Sequence, residues 1–246
     1  MNSDFKMLNL GCGKRYHNNW VNLDFTKTGE TVIAHNLVMG IPFSDNSFDV
    51  VYHSHVLEHF GKRDGEKFIQ ECYRVLKASG ILMVAVPDLE QIARNYLITL
   101  EKARDGDEES LYNHEWMVLE MYDQVVRTKS GGELAAFLER ETIPNEDFII
   151  GRWGEEAANL IKRNRKPKIS LSRRVQPKMN LVNIAVRVLS KIRHGLFRKK
   201  EKIDFRQTGE IHQWMYDKVS LQALLNKNGF VEIEVKSAFD SKIPNW

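Results

Sequence analysis

At 246 residues, with 42% hydrophobic and 28% charged side chains, the chain is long enough for one sizeable core, or for a core carrying a large insertion, and its balance is that of a soluble globular protein. Two cysteines, Cys12 and Cys72, exclude a disulfide framework and a cysteine metal cluster, and both read as reduced, as in a cytoplasmic setting. The net charge of +3 hides an asymmetry: Lys162 to Lys202 holds 15 Lys/Arg against one acid, Glu201, while the rest holds 21 Lys/Arg and 32 Asp/Glu, a basic arm on an acidic body that bears on partners and not on fold. Met1-Asn2-Ser3-Asp4 has no basic or apolar leader character, and no apolar run reaches membrane-spanning length, so neither a secretory signal nor a spanning helix is expected.

Phe5–Leu10 reads as a first strand climbing to a tight turn, Gly11-Cys12-Gly13, and Trp20–Asp24 as a second strand ending on an acid. Strand, glycine turn, strand and carboxylate is how an α/β sheet grips a nucleoside, because glycines let backbone approach a ligand and an acid at the next strand's tip takes ribose hydroxyls. The link from Gly13 to Asp24 is short for a crossover helix, so a helix of one or two turns is expected there. Thr31–His35 is a third strand and Phe48–His53, β-branched and aromatic, a fourth. Val56–Phe60 opens a short helix. Asp64 is placed to cap the next, which runs through Phe68, Ile69, Cys72, Val75 and Leu76 and stops at Ser79-Gly80. Ile81–Val86 is continuously apolar, as in a strand covered on both faces, and Leu89–Ala103 is helical.

The alternation then breaks. Leu111–Thr128 reads as a helix apolar nearly all round and therefore buried, followed by shorter helices over Glu133–Glu141 and Glu155–Arg163. Within the basic arm Leu181–Phe197 has apolar positions at helical period. Alternation resumes with a helix capped by Asp217 and with Phe230–Val235, alternately apolar and acidic, as a strand. The expected organisation is residues 1–104 and 206–246 as one α/β body, with 105–205 a mostly helical insertion or lid carrying the basic arm, 162–202.

Taken as a set, Leu8-Asn9-Leu10-Gly11-Cys12-Gly13, Phe48-Asp49-Val50-Val51 with His55-Val56-Leu57-Glu58-His59, and Arg74–Gly80 resemble the class I S-adenosylmethionine-dependent methyltransferases, over Lys6–Asp88 and the closing helix and strand. Asn113–Met117, Glu120–Gln124, Gly131-Gly132-Glu133 and His212–Asp217 further resemble a bacterial group of type 11-like methyltransferases associated with polysaccharide and cell-surface glycan synthesis. The resemblance implies a Rossmann-like, doubly wound α/β sheet of seven strands with an antiparallel final hairpin. It implies S-adenosyl-L-methionine as cofactor, with Asn9, Gly11 and Gly13 at its methionine part, Asp24 on the ribose, Asn36 and Leu37 at the adenine, and His53 and Ser54 on the pocket floor. Departures are Asn9 where an acid is common, no third glycine, and the short path to Asp24.

Methyl transfer to an oxygen needs alignment and a base. His55 and His212 are the candidate bases, with Tyr216 beside the latter, and each also reads as a structural hydrogen-bonder. Asp88, His114, Glu120 and Gln124 are candidate substrate contacts. Asp88 reads equally as a helix cap, and Glu120 as half of an internal salt bridge. His55 and His59 stand four apart, a zinc-site spacing, but no cysteine is near and Glu58 is expected to face away from the pair, so no metal is expected. No Asn/Asp-Pro-Pro-aromatic run follows the fourth strand and no Pro-Cys pair is present, which argues against methylation of nucleic-acid bases. The expected substrate is a sugar or a glycan-type, lipid-linked intermediate. The basic arm reads as a solvated insertion, as an anionic-membrane contact through Leu181–Phe197, or, less well given its few aromatics, as an RNA contact. The alternatives to the enzyme are a catalytically silent scaffold acting through that arm, or a methyltransferase for RNA or another small molecule. Localisation is expected to be cytoplasmic, with possible contact at the inner membrane face.

Overall fold

A computed structural model describes residues 5–165, 209–237 and 240–243. Leu181–Phe197 and the basic arm beyond Arg165 lie outside the described residues. Five strands, β1 (Met7–Leu10), β2 (Val21–Asp24), β3 (Val32–Ala34), β4 (Phe48–Ser54) and β5 (Leu76–Ala85), form one sheet in the order β3-β2-β1-β4-β5, every neighbouring pair parallel. The chain winds outward from β1 to β3, then returns to the other side of β1 and winds outward again. The carboxyl ends of β1 and β4 therefore flank the point where the winding reverses, where open α/β sheets bind ligands. Leu8, Leu10, Leu23, Val50 and Val51 are fully buried, and burying each such side chain contributes about 1.5–3 kcal/mol.

Helix α1 (Lys62–Val75) lays Phe68, Ile69, Cys72 and Val75 into the sheet's core. Its N-cap is Gly61, not Asp64, whose carboxylate instead accepts from Lys67. The helix ends before Ser79-Gly80, which form an irregularity within β5: pairing jumps from Phe48↔Leu76 to Val50↔Ile81, and Ser79 takes φ 63°. Arg74 ties the helix to the segment before β4, donating to the carbonyls of Ile41 and Phe43 and to Glu71 and Asp45.

Asp88 caps α2 (Leu89–Arg104) by accepting from the amides of Glu90 and Gln91. Then follow α3 (Glu108–Val126), α4 (Gly132–Leu138), α5 (Glu146–Trp153) and α6 (Glu155–Arg165). They build a second core around Trp116, with Phe137 and Trp153 edge-on to it at 5.5 and 5.1 Å, and share Ile92 of α2. Helix α3 is not buried all round: Trp116 and Met117 are inside, but Leu111, Val118, Tyr122 and Val126 are exposed, because only one side of α3 meets α2, α4 and α5. Helix α5 was not legible beforehand; its eight residues bury only Ile149.

Helix α7 (Lys218–Lys227) opens on a reciprocal Asp217–Ser220 capping box. Phe230–Val235 corrects the strand expected there. Phe230 and Ile233 do pack against the sheet's core, but Val231 and Val235 are 80% and 74% exposed, and Glu232 turns to φ 51°, which breaks an extended ladder. The described residues thus hold five strands, not the seven with an antiparallel final hairpin that were expected. No helix among them is long and apolar enough to cross a membrane.

Candidate active site at the carboxyl edge of the sheet

The loop after β1 is held by β2. The amide of Cys12 donates to the Leu23 carbonyl at 3.1 Å, and that of Gly13 to Asp24 Oδ2 at 2.8 Å. Gly11, at φ +64°, has no room for a side chain: a Cβ there would stand 2.3 Å from Val56 Cγ2. Gly13, at φ +55°, is the opposite case, with nothing within 4 Å of where its Cβ would be. One glycine lets two loops touch, and the other leaves backbone bare beside open space.

The short helix expected between β1 and β2 does not form. Residues 14–20 make two turns, closed by Arg15 N–H to the Cys12 carbonyl and Trp20 N–H to the His17 carbonyl. Buried Asn22 stabilises them by donating to the carbonyls of His17 and Trp20, both at 2.9 Å. Asn9 is buried and donates to Asn22 Oδ1 and the Arg15 carbonyl, so it shapes the loop from below. Asn36 caps the 3-10 turn Leu37–Met39, its Oδ1 accepting from Val38 N–H, and Leu37 packs on the core.

At the end of β4 the side chains separate by face. His53 was expected on the pocket floor, but it is fully buried, edge-on to Phe68 at 5.0 Å with neither ring nitrogen partnered. Burial pushes it down to about 4, so it is a neutral core residue. Ser54 closes the strand. His55 follows in a left-handed conformation, φ 54°, and this turns it out of line with the 3-10 turn Leu57–His59 behind it. Its side chain is 65% exposed, and its Nδ1 lies 3.1 Å from Oε1 of the fully buried Glu58. That hydrogen bond raises the His55 pKa. Burial alone would raise the Glu58 carboxyl, but His55 and the neighbouring His59 hold it below its ordinary value. Glu58 therefore faces His55 and not away from it.

The return segment after the insertion closes the site. The backbone carbonyl of Glu58 accepts from the amides of Gln213 and Trp214, the Ile211 carbonyl accepts from His59 Nδ1 at 3.0 Å, and His212 N–H donates to the Gln124 carbonyl. His212 is buried, 5.0 Å ring to ring from His59, with Gln124 Nε2 3.0 Å from its Nε2. Burial pushes His212 down to about 4. Tyr216 is corrected as a catalytic candidate: it is buried in the sheet's core and paired with Asp88 through backbone. Burial, and then the Glu58 charge, pushes its phenol up to about 12.

Of the substrate candidates, only Gln124 joins this group. Asp88 is engaged as a cap. Glu120 is taken by Arg152, at 2.7 and 2.6 Å, and by Trp116 Nε1. His114 lies beside Tyr96 at 5.1 Å. The residues undervalued from sequence are Glu58 and His59. Their signal is the His-x-x-Glu-His spacing, in which an α-helical turn would carry Glu58 away from the two histidines; the 3-10 turn Leu57–His59 does not. A cavity of about 630 Å³ lies at the other end of the sheet, lined by Lys6, Val21 and Phe48 at the strands' amino ends.

A nucleoside cofactor fits what is present. Gly13 exposes backbone to open space, and Asp24, half-buried, gives each oxygen one backbone contact, to Gly13 and Thr26, leaving lone pairs for ribose hydroxyls. Residues 12–84 match the family model described as a methyltransferase domain. A 48-residue stretch is 46% identical to a probable S-adenosylmethionine-dependent methyltransferase of Mycobacterium tuberculosis, covering 20% of this chain and 17% of that one. A 56-residue stretch is 38% identical to a similarly described protein of Mycolicibacterium smegmatis, covering 23% and 21%. The chain thus spans about a fifth of the length of these curated relatives. Among solved structures, the YcgJ protein of Bacillus subtilis aligns with 42% of this chain and 53% of its own, at 21% identity and a TM-score of 0.30. Residues 12–84 are thus similar to a methyltransferase domain, and the relatives that share this part of the chain are described as S-adenosylmethionine-dependent methyltransferases.

Proposed function

We propose that the protein transfers a methyl group to a hydroxyl of a sugar or glycan-type, lipid-linked intermediate, with His55 as the base. The observation that carries this reading is the His55–Glu58 pair at the winding reversal, beside the loop of Gly11 and Gly13. S-adenosylmethionine supplies a methyl on a sulfonium sulfur, so the acceptor oxygen gains that methyl and the S–C electron pair stays with sulfur as a neutral thioether. His55 takes the hydroxyl proton: its Nδ1 is turned to Glu58, its outer edge is exposed, and a buried carboxylate behind an imidazole orients the ring and stabilises its protonated form. His212, buried and facing Gln124, is the poorer base. Helices α3 to α6 serve as the lid over the acceptor, tied to the return segment through Gln124 and His212. The narrower resemblance in the sequence supports a glycan-type acceptor, and the exposed polar rim of His55 suits a hydroxylated one.

Calorimetric titration with S-adenosylhomocysteine tests the cofactor site, with binding expected in the wild type and lost in Asp24→Ala. Labelled cofactor is then offered with sugar nucleotides, lipid-linked glycans and RNA from bacterial extracts. Label in the first two, falling about 10²–10⁴-fold in His55→Ala while S-adenosylhomocysteine binding persists, is the expected result. Label in RNA alone, or transfer indifferent to His55, overturns the reading.

A further inference from the structure

Glu58 uses one oxygen and leaves the other idle. Oε1 accepts from His55, while Oε2 is buried with no hydrogen-bond partner, although the side chain is fully buried. An ionised oxygen left without a partner inside a protein costs several kcal/mol, so something of positive charge or with a proton belongs there. Two imidazoles converge on the same place. One ligand atom each from Glu58, His59 and His212 all lie within 4.8 Å of one another. Donors around one ion at about 2.1 Å stand roughly 3–4 Å apart, so the trio is slightly open, by an amount that side-chain rotation closes.

The surroundings of the three are those of a metal site. His59 Nδ1 is 3.0 Å from the Ile211 carbonyl, so that nitrogen carries the proton and Nε2 is left as a free base. The terminal amide of Gln124 lies 3.0 Å from His212 Nε2; with its oxygen turned to that nitrogen it accepts Nε2–H and leaves Nδ1 as the free base. Outer hydrogen bonds that set the tautomer and aim the ring are what ligating histidines use. The only nearby guanidinium described, Arg127, donates to the Glu210 carbonyl and lies 3.8 Å from its carboxylate, so it does not supply the missing partner of Glu58.

We propose that Glu58, His59 and His212 hold a divalent cation of the imidazole- and carboxylate-binding kind, such as Mn²⁺, Fe²⁺, Co²⁺ or Zn²⁺, with its remaining positions open towards the acceptor. This deepens the methyltransferase reading and rests on it for what the ion does: neighbouring hydroxyls of a sugar fill the open positions, and the ion orients the one that His55 deprotonates. The substrate class it selects is a vicinal diol.

Protein stripped with a chelator is titrated with Mn²⁺, and free Mn²⁺ is followed by its electron paramagnetic resonance signal. A single tight equivalent is expected in the wild type, lost in Glu58→Gln and His212→Ala. Gln124→Ala, which keeps all three ligands, is expected to weaken binding about 10–100-fold, and it covers the case in which the buried variants fail to fold. Addition of a vicinal-diol sugar is expected to alter the bound-ion spectrum, and its deoxy analogue is not. Absence of a tight equivalent in the wild type, or affinity equal in the wild type and all variants, overturns the site. S-adenosylhomocysteine is titrated in the same samples. Cation binding lost with cofactor-product binding intact removes the ion alone, whereas no product binding in the wild type removes the methyltransferase reading.

Discussion

The two glycines of the loop after β1 give opposite expectations for the same substitution. At Gly11 an alanine meets two costs. A left-handed φ of +64° costs an L-residue roughly 1–2 kcal/mol. The new Cβ also lies 2.3 Å from Val56 Cγ2, and forcing a methyl into packed surroundings adds about 1–3 kcal/mol. Gly11→Ala should therefore lose about 2–5 kcal/mol, a fall in Tm of roughly 4–20 °C for a chain of this size. At Gly13 only the backbone cost applies, since nothing lies within 4 Å, so Gly13→Ala should lose about 1–2 kcal/mol. Its methyl, however, projects where the cofactor is to pass, so S-adenosylhomocysteine binding should collapse in calorimetry while the fold survives. Urea denaturation of Gly11→Ala, Val56→Ala and the double variant isolates the clash. Deleting the Val56 methyls should return about 1–3 kcal/mol of the Gly11→Ala loss as coupling. Additivity within about 0.5 kcal/mol would refute the claim that Val56 excludes a side chain at Gly11. Undiminished product binding in Gly13→Ala would refute the claim that this backbone faces the ligand.

Arg152→Ala should destabilise by about 3–5 kcal/mol in urea denaturation, because it strands Glu120, only 9% exposed, without its bidentate partner. Asp88→Ala should lose about 0.5–2 kcal/mol of stability through the α2 cap and leave the KM for the acceptor unchanged; a raised KM would restore Asp88 as a substrate contact. Glu71 is held below its ordinary 4.5, first by the Arg74 hydrogen bonds. Its folded pKa is thus depressed, so its contribution is present above about pH 4.5 and is lost as pH falls through the folded value. The stability difference between wild type and Glu71→Gln should accordingly be constant near neutral pH and shrink in acid, as measured by unfolding at a series of pH values.

Much of this molecule is governed by local chemistry and can be read along the chain. Apolar runs ending on Gly11-Cys12-Gly13 and on Asp24 make β1, β2 and the glycine loop between them. Helical spacing of Phe68, Ile69, Cys72 and Val75 places α1 on the sheet, and Asp88 and Asp217 mark helix starts because a carboxylate satisfies orphan amides wherever it occurs. The cofactor class follows from these pieces in order.

Tertiary structure alone decided the rest. His53 and His55 are two residues apart, a spacing that would share one face of an extended strand, yet one is core and the other is exposed, because β4 ends at Ser54 and His55 turns to φ 54°. Glu58 turned towards His55 because His55 adopts φ 54°, a choice no periodicity announces. Phe230–Val235 has the alternation of a strand but meets no ladder partner among the described residues. Above all, Glu58, His59, Gln124 and His212 come together through bonds such as His59 to Ile211, 152 residues apart. The sequence carries the donors, while their convergence is created by the insertion returning to the sheet, a non-local contact whose energy depends on the whole fold and leaves no local trace.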